Sequence, residues 1–375
     1  MAVAMGVGRF VYTPILPEML AHGAVDPAGA GWLAGGNFLG YLLGAMAAGG
    51  RFWFGMRRPI FAFALAASVA TTLAMAVFDA FWVMMALRFL SGLASAFAMI
   101  FVSSIVLDWL AGRGRPDLAW LHFGGVGVGI AVSAILVSIA AGVGADWQQR
   151  WLVAGLAALA GWLFSVSSIP ARTASAANPG AGIEHAAPAI EWRPLALLTL
   201  SYGLFGFGYV ITATFLNTLA RSSPALANVE PYVWAVVGLS AAPSVIFWNA
   251  IARRTGVAWA YAIACLAEAG GIAASLLVPA AATLIACAGL LGGTFIAVTA
   301  LGLQEARRLA PEAGAGPIAW MTASFGLGQM IGPIVAGQMF QATGKLDAAS
   351  WLAAIVLAAA ALAALASRTR PVSRN

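Results

Sequence analysis

A permanently charged side chain lies within the first long apolar stretch of the sequence. Residues 6–14 read GVGRFVYTP and place Arg9 among residues typical of a buried helix. Arginine keeps its proton at physiological pH, and at the centre of a membrane helix it costs about 2.5–3.5 kcal/mol on insertion scales. A residue of that cost usually faces a protein interior or a water-filled cavity. Because a guanidinium pairs well with carboxylates, we expect Arg9 to bind an anionic group of a small solute.

Other polar side chains recur at helical spacing in the apolar runs. Positions three and four after Arg9 share its helical face, a second arginine lies at overlapping depth in the fourth run, and polar pairs four or seven apart mark the second and seventh runs. The alternative is that the arginines pair with helix carbonyls or outer acids, and that the threonines bond their own backbone. The predicted substrate-binding residues are Arg9, Tyr12, Thr13, Asn37, Tyr41, Arg88, Tyr202 and Tyr209.

One acid lies deep in an apolar run. Glu268 is far from either end of the ninth run, which makes it a candidate for proton coupling; a structural hydrogen bond in a peripheral helix is the alternative reading. No acid lies beside Arg9 or Arg88 within its own run. The coupling ion therefore stays open.

The elements that must position these residues are membrane helices. The chain is 62% hydrophobic and 9% charged, whereas soluble domains carry about 25% charged residues. A membrane helix needs about 20 apolar residues, and twelve runs qualify, so we expect an all-α polytopic membrane protein. The runs are 1–20, 30–50, 59–78, 80–107, 118–142, 151–170, 194–220, 232–252, 257–278, 282–306, 317–341 and 348–366.

The longest polar interruption divides the runs six and six. Residues 171–193 are rich in Ala, Pro, Gly and Ser, which is typical of a linker. Short matches at offsets of about 200 residues, such as Gly6 with Gly206 and Gly8 with Gly208, indicate a parallel repeat. We predict a six-helix bundle over 1–170, a cytoplasmic linker over 171–193, a second six-helix bundle over 194–366 and a cytoplasmic tail over 367–375.

The distribution of positive charge predicts the orientation. If the loop over residues 21–29 is outside, outward segments hold Arg150, Arg221 and Lys345, and Arg9 and Arg88 lie within helices. The other fourteen of the 19 Lys and Arg residues then fall on the inside. Cytoplasmic loops collect positive charge, so we expect both termini in the cytoplasm. Because this distribution across the membrane accounts for the net charge of +6, the charge does not indicate nucleic-acid binding.

Glycines at four-residue spacing predict close helix contacts. Such stripes put small residues on one helical face, where backbones approach each other. We interpret them as the contacts between the two bundles, with static packing as the alternative. The residues are Gly36, Gly40, Gly44, Gly125, Gly129, Gly328 and Gly332.

Nothing in the sequence points to an enzyme, a metal or a cofactor. The three histidines (His22, His122 and His185) are scattered without metal-ligand spacing. The GVGVG run at 125–129 has no preceding strand, so a phosphate loop is excluded by its context. Cys265 and Cys287 lie inside apolar runs and are expected to be buried packing residues. The first run starts at residue 1 without a basic leader, and we expect a start codon upstream and no cleavable signal peptide.

The motifs resemble those of the major facilitator superfamily over essentially the whole chain. Residues 55–58 (GMRR) look like the tail of its inner-loop motif without the acid, and residues 88–92 (RFLSG) are similar to its Arg-x-x-Gln-Gly motif. More specific are GRFVYTPILP at 8–17, GGNFLGYLLGA at 35–45, GGVGVGI at 124–130, GYVITATFL at 208–216 and GQMIGP at 328–333. Together these resemble the YbfB/YjiJ-type branch of bacterial inner-membrane transporters.

The resemblance implies a secondary transporter in which runs one, four, seven and ten line a central cavity and runs two, five, eight and eleven join the halves. We expect it to move a small organic, anionic solute across the inner membrane, as a monomer in the lipid bilayer, with proton coupling as an option. Efflux of amphipathic drug-like compounds is one alternative. A receptor or scaffold that binds a ligand without moving it is another.

Overall fold

Residues 1–169, 192–310 and 316–368 are described by a computed structural model. The described residues form twelve α-helices and no strand, and each predicted apolar run corresponds to one helix. The predicted linker lies outside the described residues except for Trp192 and Arg193, which begin a helix; of the predicted tail only Ser367 and Arg368 are described. The helices are α1 (Tyr12–Ala21), α2 (Pro27–Ala48), α3 (Arg57–Ala74), α4 (Phe81–Ala111), α5 (Ala119–Gly142), α6 (Trp147–Ser168), α7 (Trp192–Ser222), α8 (Glu230–Thr255), α9 (Val257–Leu277), α10 (Ala281–Leu309), α11 (Gly316–Thr343) and α12 (Asp347–Ala366).

Nine helices of the described chain, α4 to α12, are long and apolar enough to cross a membrane. The others fall short for identifiable reasons. α1 has only 10 residues, α2 contains many glycines and Asn37, and α3 begins with Arg57 and Arg58. The chain is therefore a multi-pass membrane protein.

The first apolar run is not one continuous α-helix. Ala2–Val7 forms a π-helix, and the Gly8 amide donates to the Val3 carbonyl five residues back at 2.8 Å. The first α-helix, α1, begins only at Tyr12. A π-helical turn takes more residues than an α-helical turn, so it rotates the following side chains. Residues 8–11 between this turn and α1 are themselves turns, and the Thr13 amide donates to the Phe10 carbonyl three residues back at 3.3 Å, so Arg9 does not share a regular α-helical face with Tyr12 and Thr13.

Two extensive contacts join the helices before the undescribed segment 170–191 to those after it. α2 packs against α11, and α5 packs against α8. Within the first group α4 packs against α2 and α3; within the second, α7 packs against α11 and α12, and α10 against α8 and α9. Each of the two helix pairs carries small residues where the backbones meet.

The glycine stripes predicted to join the halves pack elsewhere. Gly36, Gly40 and Gly44 face α4, and a side chain at Gly40 would run into the Phe89 backbone. Gly125 and Gly129 face the first two residues of the chain, whereas Gly328 and Gly332 face α7. All seven glycines therefore contact helices on their own side of the 170–191 segment, which corrects the sequence-based interpretation.

Different glycines form the contacts between the two groups. Gly31 lies against Pro333 and Gly337 of α11, and Gly127 of α5 lies against Gly238 of α8. Both helices of each pair therefore have small residues at the crossing, and their backbones are in direct contact. These four helices do join the two groups, as α2 with α11 and α5 with α8, but the residues in contact are not the predicted glycines.

Candidate functional site

A cavity of about 810 Å³ lies between the two groups of helices. One end of the cavity is bordered by Asp117 before α5, Arg253 at the end of α8 and Arg307 at the end of α10. Two hydrogen bonds from Arg115 lower the pKa of the Asp117 carboxyl, so this border carries both signs of charge. The wall deeper inside consists mainly of aromatic residues and methionines.

Arg9 projects into this cavity without an acidic partner. Its guanidinium carbon lies 3.9 Å from the ring centroid of Tyr41 and 4.5 Å from that of Phe38. Its Nη2 donates to the Gln329 side-chain oxygen at 3.1 Å, and its Nε is buried without a partner. Among the described residues no carboxylate lies within ion-pair distance of it. The charge is therefore stabilised by ring faces and one amide, but it is not neutralised.

Gln329 links Arg9 to Tyr209 across the cavity. Because arginine only donates, its hydrogen bond fixes the orientation of the amide, whose nitrogen then donates to the Tyr209 hydroxyl oxygen. The hydroxyl hydrogen of Tyr209 consequently points elsewhere. Arg9 and Tyr209 thus offer hydrogen-bond donors at one site that is held together by α11.

Arg88 lies behind the cavity wall. Its guanidinium carbon is 4.7 Å from the ring of Tyr12 and 5.9 Å from that of Trp151, and its Nη2 reaches the Arg9 carbonyl at 3.4 Å. Neither Arg88 nor Tyr12 lines the cavity. We interpret Arg88 as a support for the backbone that carries Arg9, not as a second anion ligand.

Three further predicted residues hold the scaffold together. Thr13 donates to the Ala213 carbonyl at 2.7 Å, Asn37 donates to the Arg88 carbonyl at 2.8 Å, and Tyr202 donates to the Thr299 carbonyl at 3.1 Å. These side chains do not border the cavity. Of the predicted substrate-binding set, the cavity brings together Arg9, Tyr41 and Tyr209.

The sequence reasoning missed four residues of the wall. Gln329 is the polar residue of the GQMIGP motif in α11, and its position in that motif was the available signal. Phe295 and Phe325 pack on Tyr209 with ring centroids at 5.9 and 5.8 Å, and Phe10 lies edge-on to Phe295 at 5.9 Å. No pattern in an apolar sequence separates these phenylalanines from those that face lipid.

A network of charges closes the end of the molecule opposite the cavity border. The Glu18 carboxylate accepts from Arg150 at 2.9 Å and from Arg221 at 2.7 Å, and Arg221 also pairs with Glu230 at 3.0 Å. Glu230 and Arg253 are at opposite ends of α8, which places this network away from the border. Arg221 thus connects α1 with α7 and α8.

Glu268 lies outside the cavity, on α9. One carboxyl oxygen is 2.5 Å from the Thr294 hydroxyl, which also lies 2.7 Å from the Leu290 carbonyl, and the other is buried without a partner. Thr294 precedes Phe295 of the cavity wall. Within the described residues no group of three His, Cys, Asp or Glu side chains has the geometry of a metal site.

Comparisons with known proteins agree with this architecture. The family model described as "Uncharacterised MFS-type transporter YbfB" matches residues 1–365. A crystal structure of a mutant of the nucleoside transporter NupG is similar, with a TM-score of 0.75 and 13% identity over 98% of each chain. A second NupG crystal structure has a TM-score of 0.72 and the same identity and coverage. No curated protein matches the chain.

The likeness to NupG at 13% identity shows the fold, and family and fold are those of membrane transporters. The family model covers nearly the whole chain. The chain therefore belongs to the YbfB family of MFS-type transporters.

Proposed function

We propose that the protein is a secondary transporter that moves a small organic anion across the bacterial inner membrane. The observation that carries the proposal is the unpaired guanidinium of Arg9 in a cavity of about 810 Å³. A ring face contributes about 0.5–2 kcal/mol to a cation, which is far less than the cost of removing it from water. An anionic group on the substrate would compensate the remaining charge.

The arrangement of the helices supports alternating access between two six-helix bundles, residues 1–169 and 192–366. The cavity lies between them and is bordered at one end by loop residues, while the Glu18 network closes the other end. The cavity border belongs to the side where the positive loops collect, so we assign it to the cytoplasm, together with both termini. In this proposal the structure represents an inward-facing state of a monomer in the bilayer.

We also propose Glu268 as the residue that couples transport to protons. Its carboxyl meets a hydroxyl and no cation among the described side chains. The Thr294 hydroxyl donates to one Glu268 oxygen at 2.5 Å and the other oxygen is buried without a partner, so binding of a proton would neutralise a buried carboxylate that no described cation pairs with. Because Thr294 adjoins Phe295, loss of that proton would disturb the helix that forms the cavity wall.

Export of amphipathic compounds is the second candidate. The apolar wall, which includes Met5, Met99, Phe10 and Phe295, would accept such molecules because methionine adapts to irregular shapes. An uncompensated arginine would repel amphipathic cations but admit neutral or anionic ones. Transport of neutral amphipathic compounds that does not depend on Arg9 would therefore favour this second candidate.

The direct test compares Arg9→Gln with Arg113→Gln. Arg113 is a matched control because its guanidinium also rests on a ring, that of Trp109, but outside the cavity. Purified variants are reconstituted in proteoliposomes, and uptake of radiolabelled benzoate and hexanoate is measured alongside thermal melting. We expect uptake by the control and none by Arg9→Gln, with both proteins folded. Equal uptake by the two variants would overturn the proposal.

A further inference from the structure

The polar part of the site carries a single positive charge. Arg9 is the cation that the described residues place in the deep part of the cavity, since Arg88 lies behind the wall. The other arginines of the cavity, Arg253 and Arg307, lie at its border; Arg307 is twelve residues beyond Phe295 on α10, which is roughly 18 Å at 1.5 Å per residue. The two carboxylates of a small diacid cannot span that distance, so a second negative charge would be buried without a partner.

The hydrogen-bond roles at the site select the chemical type of the charged group. Arginine has no acceptor, and the Tyr209 hydroxyl already accepts from Gln329, which leaves it as a donor. The Gln329 oxygen is taken by Arg9. A group that only accepts, such as a carboxylate, satisfies both donors, whereas an ammonium bound to the second lone pair of the Gln329 oxygen would lie beside the Arg9 charge and be repelled.

The remaining wall is built from ring faces. Tyr209 is nearly parallel to Phe325 (6°) and to Phe295 (8°). Phe10 meets Phe295 edge-on at 5.9 Å and 70°. All four residues border the cavity beside Arg9. Aromatic rings prefer offset-stacked and edge-to-face neighbours, and a flat ring on the solute would find such neighbours among these side chains.

From these observations we infer that the solute is an aromatic monocarboxylate, with its carboxylate on Arg9 and Tyr209 and its ring against Phe10, Phe295 and Phe325. The inference rests on the proposed function and narrows its substrate class. It predicts discrimination between ligands that have the same charge and a similar size but differ in aromaticity.

The test measures binding of benzoate and cyclohexanecarboxylate to the purified protein by isothermal titration calorimetry. These acids have the same number of carbon atoms and the same charge. We expect benzoate to bind about five-fold more tightly, the mid-range for one aromatic contact. Benzamide, benzylamine and terephthalate should bind at least ten-fold more weakly than benzoate, because each violates the charge or the donor pattern of the site.

Variants of the wall separate this inference from the proposed function. Phe295→Leu and Phe325→Leu should bring the two acids within two-fold of each other while binding remains dependent on Arg9. Phe215→Leu is the matched control, since Phe215 is a buried ring that pairs with Phe340 away from the cavity. Thermal melting of each variant verifies that it is folded.

The outcomes differ for the two claims. If both acids bind equally to the unaltered protein and Arg9→Gln abolishes both, the aromatic inference is wrong and the anion proposal stands. If Arg9→Gln leaves binding unchanged, or neither acid binds, the anion proposal fails and the inference falls with it. A benzoate preference that persists in both cavity variants would also overturn the inference.

Discussion

Neutralising Glu18 is expected to open the end of the protein that the charge network closes. In the alternating access proposed above, opening that end would separate α1 and α6 from α7 and α8. The pair Glu18–Arg221 must then break, whereas Glu18–Arg150 and Arg221–Glu230 each stay on one side of the separation. The change Glu18→Gln therefore alters the opening equilibrium only through the bond that spans the two groups of helices.

The structure sets the size of this effect. A hydrogen bond between charged groups contributes about 1.5–3 kcal/mol, while exposed ion pairs contribute about 0.2–1 kcal/mol. The Glu18 and Arg221 side chains are 16% and 30% exposed and their atoms are 2.7 Å apart. We therefore expect about 1.4 kcal/mol, which raises the ratio of open to closed molecules roughly ten-fold.

Distances between spin labels at Val143→Cys and Ala225→Cys report on this equilibrium. Both positions are exposed and lie in loops next to the network, and the two native cysteines are buried and can be replaced. Double electron–electron resonance should show a long-distance population that grows in Glu18→Gln. Arg150→Gln is the control, because it breaks a bond that persists in both states and should leave the distances unchanged.

Two results would refute this reasoning. An unchanged distance distribution in Glu18→Gln would mean that the pair does not hold the end closed. An equal shift in Arg150→Gln would mean that general loss of charge, not the spanning bond, controls the equilibrium.

Three further substitutions test the site and the helix contacts. Gln329→Leu should weaken benzoate binding about ten-fold in calorimetry, because the substitution removes the hydrogen bond by which Gln329 orients the Arg9 guanidinium. Gln304→Leu, which lies nearer the cavity border, should bind benzoate normally. Gly238→Leu should lower the thermal midpoint and abolish uptake, because its side chain would enter the α5 backbone, whereas Gly270→Leu meets open space and should be tolerated. Glu268→Gln should remove the dependence of uptake on a pH gradient while exchange without a gradient continues; retained dependence would exclude it as the coupling residue.

The helices were predictable from the sequence because membrane-length apolar runs must form them. The start of the first helix was not, because no residue pattern marks the π-helical turn at Ala2–Val7, where Gly6 packs on Gly129. Tyr12 follows the turns at residues 8–11 and does not border the cavity. The depth of Arg9 could therefore be predicted, but not its neighbours.

The sequence predicted which helices join the two groups, but not which residues form the contacts. α2 carries small residues on two faces, and spacing alone does not show whether Gly31 or Gly36 meets α11. The cavity wall has the same difficulty. Phe295 and Phe325 are indistinguishable in sequence from lipid-facing rings, and only the arrangement around Tyr209 singles them out.

The π-helical turn at Ala2–Val7 has a consequence for how this site can change. Such a turn is what one inserted residue produces in an α-helix. Deleting one residue from it would restore the regular helix and rotate Arg9 by about 100° relative to what precedes it, since a turn has 3.6 residues. If residues before the turn keep their packing on α5, the guanidinium moves away from Gln329. Under the proposal that Arg9 binds the anionic group of the substrate, a change of a single residue in length before Arg9 would alter anion affinity with no substitution in the cavity.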